Sequence, residues 1–162
     1  MKDFADQITF GPYSKEVSEL SYRWLSDPEI AYLTNTPPLT KEIQQRFFKS
    51  LSSRNNYHIW VVLLDLRPIG CFGIKNILGQ SGEYWGFIGE KDFWGRGIGR
   101  IIVNQAVVEA KNLGLAELTL EVIKSNTRAF SLYMKCGFNE TSCSRDKIFM
   151  KRDLDVRVNT TS

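Results

Sequence analysis

Three glycines and two arginines are concentrated in residues 92–100, whose sequence is DFWGRGIGR. Hydrophobic residues recur at helical spacing directly after this segment, so it leads into the first turn of a helix. Glycine lets a backbone adopt left-handed conformations and approach a ligand closely. The free N–H groups of a helix N-terminus, the helix dipole and the arginine side chains all favour an anion at this position. The segment therefore predicts a phosphate-binding loop.

Two common nucleotide-binding patterns fit this loop poorly. A Rossmann fingerprint needs G-x-G-x-x-G and an acidic residue about 20 residues later. Glu121 meets the second condition, but the glycines stand at alternate positions from Gly95 to Gly99 and lack the required spacing. A Walker A loop is excluded because no Gly-Lys-Ser/Thr follows. A dinucleotide-binding protein remains an alternative that the glycine spacing disfavours.

Length and composition limit what surrounds the loop. The chain has 162 residues, of which 43% are hydrophobic and 24% charged, so it fits one globular domain and not a disordered or fibrous protein. We expect a single domain over residues 1–154 and a C-terminal tail over residues 155–162. The net charge of +3 comes from scattered Lys and Arg residues, which gives little support for a nucleic-acid partner.

Cysteine usage indicates a reducing compartment. Cys71, Cys136 and Cys143 are odd in number, form no CxxC pair and are accompanied by one histidine. Neither a disulfide framework nor a zinc site is expected, and the three side chains are predicted to be buried. No segment approaches the ~20 apolar residues that span a bilayer, and charges interrupt the N-terminus. We therefore expect a cytoplasmic protein without a metal and without membrane contact.

The hydrophobic pattern predicts the elements that hold the loop in place. An N-terminal strand over residues 8–13 is followed by helices, one beginning at Asp27 and Pro28 and another capped by Thr40. The second of these helices carries Ile43, Phe47, Phe48 and Leu51 on one side. Three strands joined by short turns follow, which implies an antiparallel meander. They cover residues 57–64, 69–78 and 83–89.

After the glycine loop, the spacing of hydrophobic residues becomes helical. A helix from Ile98 ends near Gly114, a strand covers residues 115–123, and a second helix covers residues 127–136. This order is a βαβ unit, whose two strands should be parallel with a right-handed crossover. A final hairpin is expected after residue 137. The sequence therefore predicts a mixed α/β fold with a mostly antiparallel sheet and one central parallel strand pair.

Three motifs together resemble the GCN5-related N-acetyltransferase family. They are FIGEKDFWGRGIGR at residues 87–100, LEVIKSN at residues 120–126, and Leu132-Tyr133 followed by Gly137-Phe138. The motifs have the family's order and spacing, and the resemblance covers residues 83–138. The segment at residues 24–30 resembles the opening helices of members related to ribosomal-protein N-terminal acetyltransferases, a branch that includes amino-sugar enzymes. Trp94 departs from the family pattern, which often has Gln or Arg at this position.

The resemblance implies that acetyl-CoA is the phosphate-bearing ligand. In this family the parallel strands splay apart, so the first strand offers its backbone to the pantetheine arm and one N–H to the developing oxyanion. Asn126 would meet the same arm, and Arg128 and Lys135 are further candidates for the 3′-phosphate. The implied cofactor-binding residues are Phe87, Ile88, Gly89, Gly95, Arg96, Gly97, Ile98, Gly99, Arg100 and Asn126.

The resemblance also implies the catalytic groups. Tyr133 matches the general acid that would protonate the CoA sulfur, and Glu121 matches a position from which some members draw a general base. Glu83 is a rival base, and a water molecule is a third possibility. The implied reaction is direct transfer of an acetyl group, in a ternary complex, to a primary amine of a small molecule, an amino sugar or a protein N-terminus. A catalytically silent acyl-CoA-binding module remains an alternative, and a homodimer is compatible with either function.

Overall fold

The computed structural model describes residues 4–155. It confirms a mixed α/β fold built on one seven-stranded sheet with the strand order β1-β2-β3-β4-β5-β7-β6. The strands are β1 (Ile8–Pro12), β2 (His58–Leu64), β3 (Arg67–Leu78), β4 (Ser81–Ile88), β5 (Glu117–Ile123), β6 (Asn139–Cys143) and β7 (Lys147–Asp153). The helices are α1 (Lys15–Leu25), α2 (Pro28–Leu33), α3 (Lys41–Leu51), α4 (Ile98–Asn112) and α5 (Thr127–Lys135). The predicted tail lies outside the described residues except for Asp155.

The helix starts follow the capping signals in the sequence. An Oδ1 atom of Asp27 accepts from the N–H groups of Glu29 at 2.9 Å and Ile30 at 3.4 Å, directly before α2. Thr40 accepts from the N–H of Ile43 at 3.1 Å and caps α3 in the same way. Both predicted N-caps are therefore confirmed, because short polar side chains satisfy N–H groups that the helix itself leaves free.

The meander predicted from the sequence is formed by β2, β3 and β4, which pair antiparallel in that order. The turn between β2 and β3 is tighter than expected, because β3 already begins at Arg67. Asp65 and Leu66 both have positive φ, at 47° and 69°. Two left-handed residues between antiparallel strands match the twist of a two-residue hairpin.

The central strands β4 and β5 are parallel and separate after a short ladder. Residues 81–83 of β4 pair with residues 117–119 of β5. Beyond this point β4 continues beside β3 as far as Ile88, and β5 continues beside β7 as far as Ile123. The sheet therefore opens into a V-shaped gap between the second halves of β4 and β5, as the predicted splayed strand pair requires.

Helices cover the two faces of the sheet unequally. On one face α4 and α5 pack against a large core that includes Phe72, Leu118 and Phe138, each at most 1% exposed. On the other face α1 and α2 pack on a smaller cluster that contains Trp24 and takes sheet residues from β2, β3 and β4. We call these the α4 face and the α1 face. Side chains alternate along each strand, so neighbouring residues point to different faces.

Burial differs from the simple hydrophobic pattern at two places. Ile43, on the apolar side of α3, is 43% exposed. Gln44 is buried instead, where its Nε2 donates to the hydroxyl of Tyr13 at 3.0 Å and to the carbonyl oxygen of Ser18 at 3.0 Å. Cys143 lies exposed on the edge strand β6, whereas the other two cysteines are buried as expected.

The close approach of β3 and β4 predicts that Gly70→Ala destabilises the fold. A Cβ atom at Gly70 would overlap the carbonyl oxygen of Phe87, and backbone cannot move aside as a flexible side chain can. We expect the free energy of unfolding to fall by about 2–4 kcal/mol. Denaturant unfolding of the purified variant measures this change.

Gly11→Ala is the matched control in strand β1. A Cβ atom at Gly11 would lie 3.4 Å from Val61 and 3.6 Å from Leu63, which is ordinary side-chain contact. We expect its stability to stay within about 1 kcal/mol of the wild type. Equal stability of the two variants would contradict the close β3–β4 contact.

Candidate functional site

The glycine loop forms an open cradle at the start of α4. Gly95 and Gly97 have left-handed φ values of 72° and 80°. Gly97 is the N-cap of α4 and has no side chain to satisfy the first N–H groups of the helix. A Cβ atom on Gly97 would meet no protein atom within 4 Å. The loop therefore combines free N–H donors, the positive end of a helix dipole and space for an anion.

Three arginines surround the cradle. Arg96 and Arg100 lie exposed on the loop and on the first turn of α4. Arg128 reaches it from α5, with its Nη2 3.4 Å from the position that a Cβ on Gly95 would occupy. The side chain of Ile98 is 1% exposed, so this residue can offer a ligand only its backbone. The arrangement suits a doubly or triply charged phosphate group.

The backbone of β4 has polar groups that face the gap. The N–H of Gly89 donates to the carbonyl oxygen of Ile69 at 2.7 Å, so Gly89 is turned toward β3. Hydrogen-bonding direction alternates along a strand, which turns Phe87 toward β3 and both Gly86 and Ile88 toward β5. The sequence predicted the segment 87–89 as cofactor-binding. Within and beside that segment, the backbone groups of Ile88 and Gly86 face the gap, and the sequence did not indicate Gly86.

Trp94, which departs from the family pattern, supports the end of β4. Its indole N–H donates to the carbonyl oxygen of Ile88 at 2.9 Å. Its ring packs on the α1 face against the cluster that contains Trp24, and the Nζ of Lys91 lies 5.7 Å from the ring centroid. Trp94 therefore satisfies a strand carbonyl that β5 leaves unpaired and has no N–H left to offer a phosphate.

Asn126 lies at the far side of the gap, between the end of β5 and the start of α5. Its Oδ1 accepts from the N–H of Ala129 at 3.2 Å, which makes it the N-cap of α5. The amide Nδ2 is the part of this side chain that can donate to a ligand. The predicted contact of Asn126 with a ligand in the gap is compatible with this capping role.

Tyr133 projects from α5 into the α4 face beside Tyr84 of β4. The two rings meet edge to face with centroids 6.1 Å apart, and Phe138 packs against Tyr133 at 6.0 Å. Burial raises the pKa of Tyr133 to about 12, and the nearby Cys136 thiol contributes. Tyr133 is therefore protonated throughout the neutral range and can act only as a proton donor there.

The two candidate bases lie on the opposite face. Glu121 of β5 and Glu83 of β4 both line a cavity of about 390 Å³ whose wall also includes Thr119 and Phe149. Glu121 accepts from the Nζ of Lys147 at 3.1 Å. Tyr133 and the two carboxylates thus flank the splayed strands from different sides.

Helix α2 is tied to both sides of the gap. Lys91, in the 3-10 turn that follows β4, lies 2.8 Å from Oδ2 of Asp27 and 2.9 Å from Oε1 of Glu29. On the other side, the hydroxyls of Tyr32 and Ser125 lie 2.7 Å apart. Ser125 directly precedes Asn126 at the end of β5. The sequence gave no signal for these contacts, because they join residues far apart in the chain.

Two other features, a metal site and a membrane-spanning helix, are not found in the described part of the chain. Within residues 4–155, no group of three or more His, Cys, Asp and Glu side chains is arranged to hold a metal ion. Across the same residues, no helix is both long and apolar enough to cross a bilayer.

The chain is similar in sequence to known proteins. A sequence model of the acetyltransferase (GNAT) family matches residues 18–138. An uncharacterized protein of Methanocaldococcus jannaschii is 28% identical over 134 residues, which are 79% of this chain and 27% of the relative. The [ribosomal protein bS18]-alanine N-acetyltransferase of Salmonella typhimurium is 31% identical over 78 residues, which are 48% of this chain and 53% of the relative. The chain thus matches about a quarter and about half of the lengths of these two proteins.

A solved structure shows the same fold. The spermidine N-acetyltransferase from Vibrio cholerae, in complex with CoA and spermine, superposes with a TM-score of 0.84 at 20% identity. The superposition covers 91% of this chain and 96% of that one.

The contacts of Asp27 at the start of α2 predict that the pKa of its carboxyl group is lowered. The hydrogen bond from Lys91 lowers the pKa of Asp27, and the Glu29 and Ile30 N–H groups add to the effect. The pair therefore stabilises the fold above the ordinary carboxylate pKa of ~3.9, and this contribution is lost as the pH falls through the lowered pKa. We expect Lys91→Met to raise the pKa of Asp27 in a carbon-detected NMR titration.

Lys111→Met, at the distant end of α4, is the control for that titration. It removes an equal charge without touching α2, so the pKa of Asp27 should not change. An unchanged pKa of Asp27 in Lys91→Met would show that the contact does not persist in solution.

Proposed function

Because the chain belongs to the acetyltransferase (GNAT) family, we propose that it transfers an acetyl group from acetyl-CoA to a primary amine. The gap between β4 and β5 is the observation that carries this proposal. A thioester lying in the gap would have Glu121 and Glu83 on one side and Tyr133 on the other. The amine can then attack from one face while the sulfur leaves toward the other.

The proposed acetyl donor fits the residues around the gap. Its pyrophosphate would lie on the cradle between Gly95 and Arg100, where the N–H groups, Arg96 and Arg128 offer donors. The amides of its pantetheine arm would pair with the strand backbone of Gly86 and Ile88, which has no β-strand neighbour there. The thioester supplies an acyl group with a thiol as leaving group.

The proposed reaction needs one base and one acid. Glu121, directly or through water, would remove a proton from the attacking amine, and Glu83 could serve instead because it lines the same cavity. The N–H of Ile88 faces the gap and is the strand donor placed to stabilise negative charge on the acetyl oxygen. Tyr133 would deliver a proton to the sulfur as the carbon–sulfur bond breaks.

The charges on the α1 face restrict the acceptor. The two candidate bases are each paired with a lysine, because Glu83 lies 3.5 Å from Lys75 and Glu121 lies 3.1 Å from Lys147. Paired carboxylates attract a polycation less strongly than free ones. We therefore propose an acceptor with a single reactive amine, in a small molecule, an amino sugar or a protein N-terminus, rather than a polyamine.

Binding and turnover of Gly97→Ala test this function. Alanine in the left-handed conformation costs about 1–2 kcal/mol of stability, and its methyl group would occupy the space proposed for the pyrophosphate. We expect acetyl-CoA affinity, measured by calorimetry, to fall by at least about tenfold, a loss of ~1.4 kcal/mol. Wild-type protein should release CoA thiol from acetyl-CoA when a suitable amine is present, and NADH should not compete for the site.

Gly114→Ala is the matched control for the loop. Gly114 also has a left-handed φ, of 78°, with no atom within 4 Å of an added Cβ, but it lies at the opposite end of α4. Its stability loss should equal that of Gly97→Ala, and its acetyl-CoA affinity should match the wild type. Equal affinities of the two variants for acetyl-CoA would show that the glycine loop is not part of the binding site. Tight binding without turnover on any amine would instead identify a silent acyl-CoA-binding module.

A second prediction separates the two candidate bases. Glu121→Gln keeps the shape of the side chain but cannot accept a proton from the amine, so we expect kcat to fall by about 100-fold. The loss should shrink as the pH rises and more of the free amine is already neutral. Glu83→Gln should retain most of the activity. The reverse pattern in steady-state rates from pH 6 to 9 would assign the base to Glu83.

A further inference from the structure

Tyr84 of β4 is a buried tyrosine that the proposed mechanism does not use. Its side chain is 5% exposed and belongs to the core of the α4 face. It meets Tyr133 edge to face, with ring centroids 6.1 Å apart and planes inclined by 78°. The only residue proposed as general acid is therefore in direct contact with a second phenol.

The hydroxyl of Tyr84 lies over the part of β4 that borders the gap. A Cβ atom added to Gly86 would overlap this hydroxyl, so the phenol extends along β4 and ends over Gly86. The ladder with β5 has already ended there, since its last pair is Glu83 with Thr119. Gly86 is also the residue whose backbone faces the gap. The absence of a side chain at Gly86 is what makes room for the hydroxyl.

Among the described residues, no hydrogen-bond partner is present for this hydroxyl. Within residues 4–155, the indole nitrogen of Trp85 is the side-chain polar atom that is fully buried without a partner, and the hydroxyl of Tyr84 is not. This hydroxyl is therefore within reach of a ligand atom and free to donate to it. Burial raises the pKa of Tyr84 well above its ordinary value, and the neighbouring Tyr133 adds to the effect because two phenolates would repel each other. Both hydroxyls are therefore neutral donors in the physiological range.

We propose that Tyr84 is a second proton donor of the leaving-group site and shares with Tyr133 the protonation of the CoA sulfur. This inference rests on the proposed acetyl transfer. As the carbon–nitrogen bond forms and the carbon–sulfur bond breaks, the electron pair of that bond goes to sulfur. One phenol gives its proton to the sulfur, and the other donates a hydrogen bond to the same sulfur while negative charge develops on it. The proton that the amine loses to the base and to solvent restores the phenol.

Phenylalanine substitutions at the two tyrosines test the shared role. They keep both rings and remove only the hydroxyls. We expect Tyr84→Phe and Tyr133→Phe each to lower kcat by about 10-fold, because one donor remains in each variant. The double variant should lose about 1,000-fold, more than the product of the single losses.

The control is Tyr13→Phe, on the α1 face. The hydroxyl of Tyr13 accepts from Gln44 and is remote from the gap, so kcat should not change. Thermal unfolding of all variants checks that a lower kcat does not result from a loss of folded protein. The deciding comparison is between the double variant and Tyr133→Phe alone. If the double variant is less than about fivefold slower, Tyr84 does not protonate the sulfur. A larger difference supports its role as a second donor.

A binding comparison tests the contact between the Tyr84 hydroxyl and sulfur without turnover. Wild-type protein should bind CoA more tightly than desulfo-CoA, which lacks the sulfur, and Tyr84→Phe should reduce this ratio. An unchanged ratio in Tyr84→Phe would overturn the contact with sulfur. If the wild type acetylates no amine but shows the sulfur-dependent ratio, the proposed function fails while the placement of Tyr84 stands.

Discussion

The early end of the β4–β5 ladder is the constraint on which the rest of the structure depends. Strand backbone groups in a sheet interior need partners, and Gly86 and Ile88 have none from β5. One carbonyl is satisfied within the chain by the indole of Trp94. The remaining groups form a row of donors and acceptors at the spacing of a missing strand. A flexible arm that carries amides can complete that row, which gives a linear ligand both affinity and a fixed direction.

The same separation gives the sheet two chemically different faces at one position. On the α4 face, Tyr133 and Tyr84 pack among apolar side chains, and burial raises the pKa of both phenols. On the α1 face, Glu83 and Glu121 line one cavity, and each pairs with a lysine. Strand alternation places these groups, because consecutive residues of β4 point to opposite sides. An acid and a base can therefore act on one ligand without neutralising each other.

The sequence predicts what depends on local geometry. The glycine turn before α4, the caps at Asp27 and Thr40 and the order of elements along the chain follow from short patterns, and the structure confirms them. The exposure of a side chain depends on which other elements cover it, and for this reason the expected burial of Cys143 is wrong. The direction of each β4 backbone group depends on the register with β3. No spacing rule could show that Gly89 is engaged with Ile69, or that Tyr84 lies beside Tyr133.

Contacts at its two ends connect α2 to both sides of the gap between β4 and β5. Lys91 connects it to the turn that leads into the phosphate cradle, and Ser125 connects it to the segment that begins α5. If the proposed amine entered along the α1 face and displaced α2, these two contacts would connect the displacement to the loop that forms the cradle. Thermodynamic linkage would then make the effect reciprocal, and occupancy of the cradle would alter the affinity for the amine by the same factor.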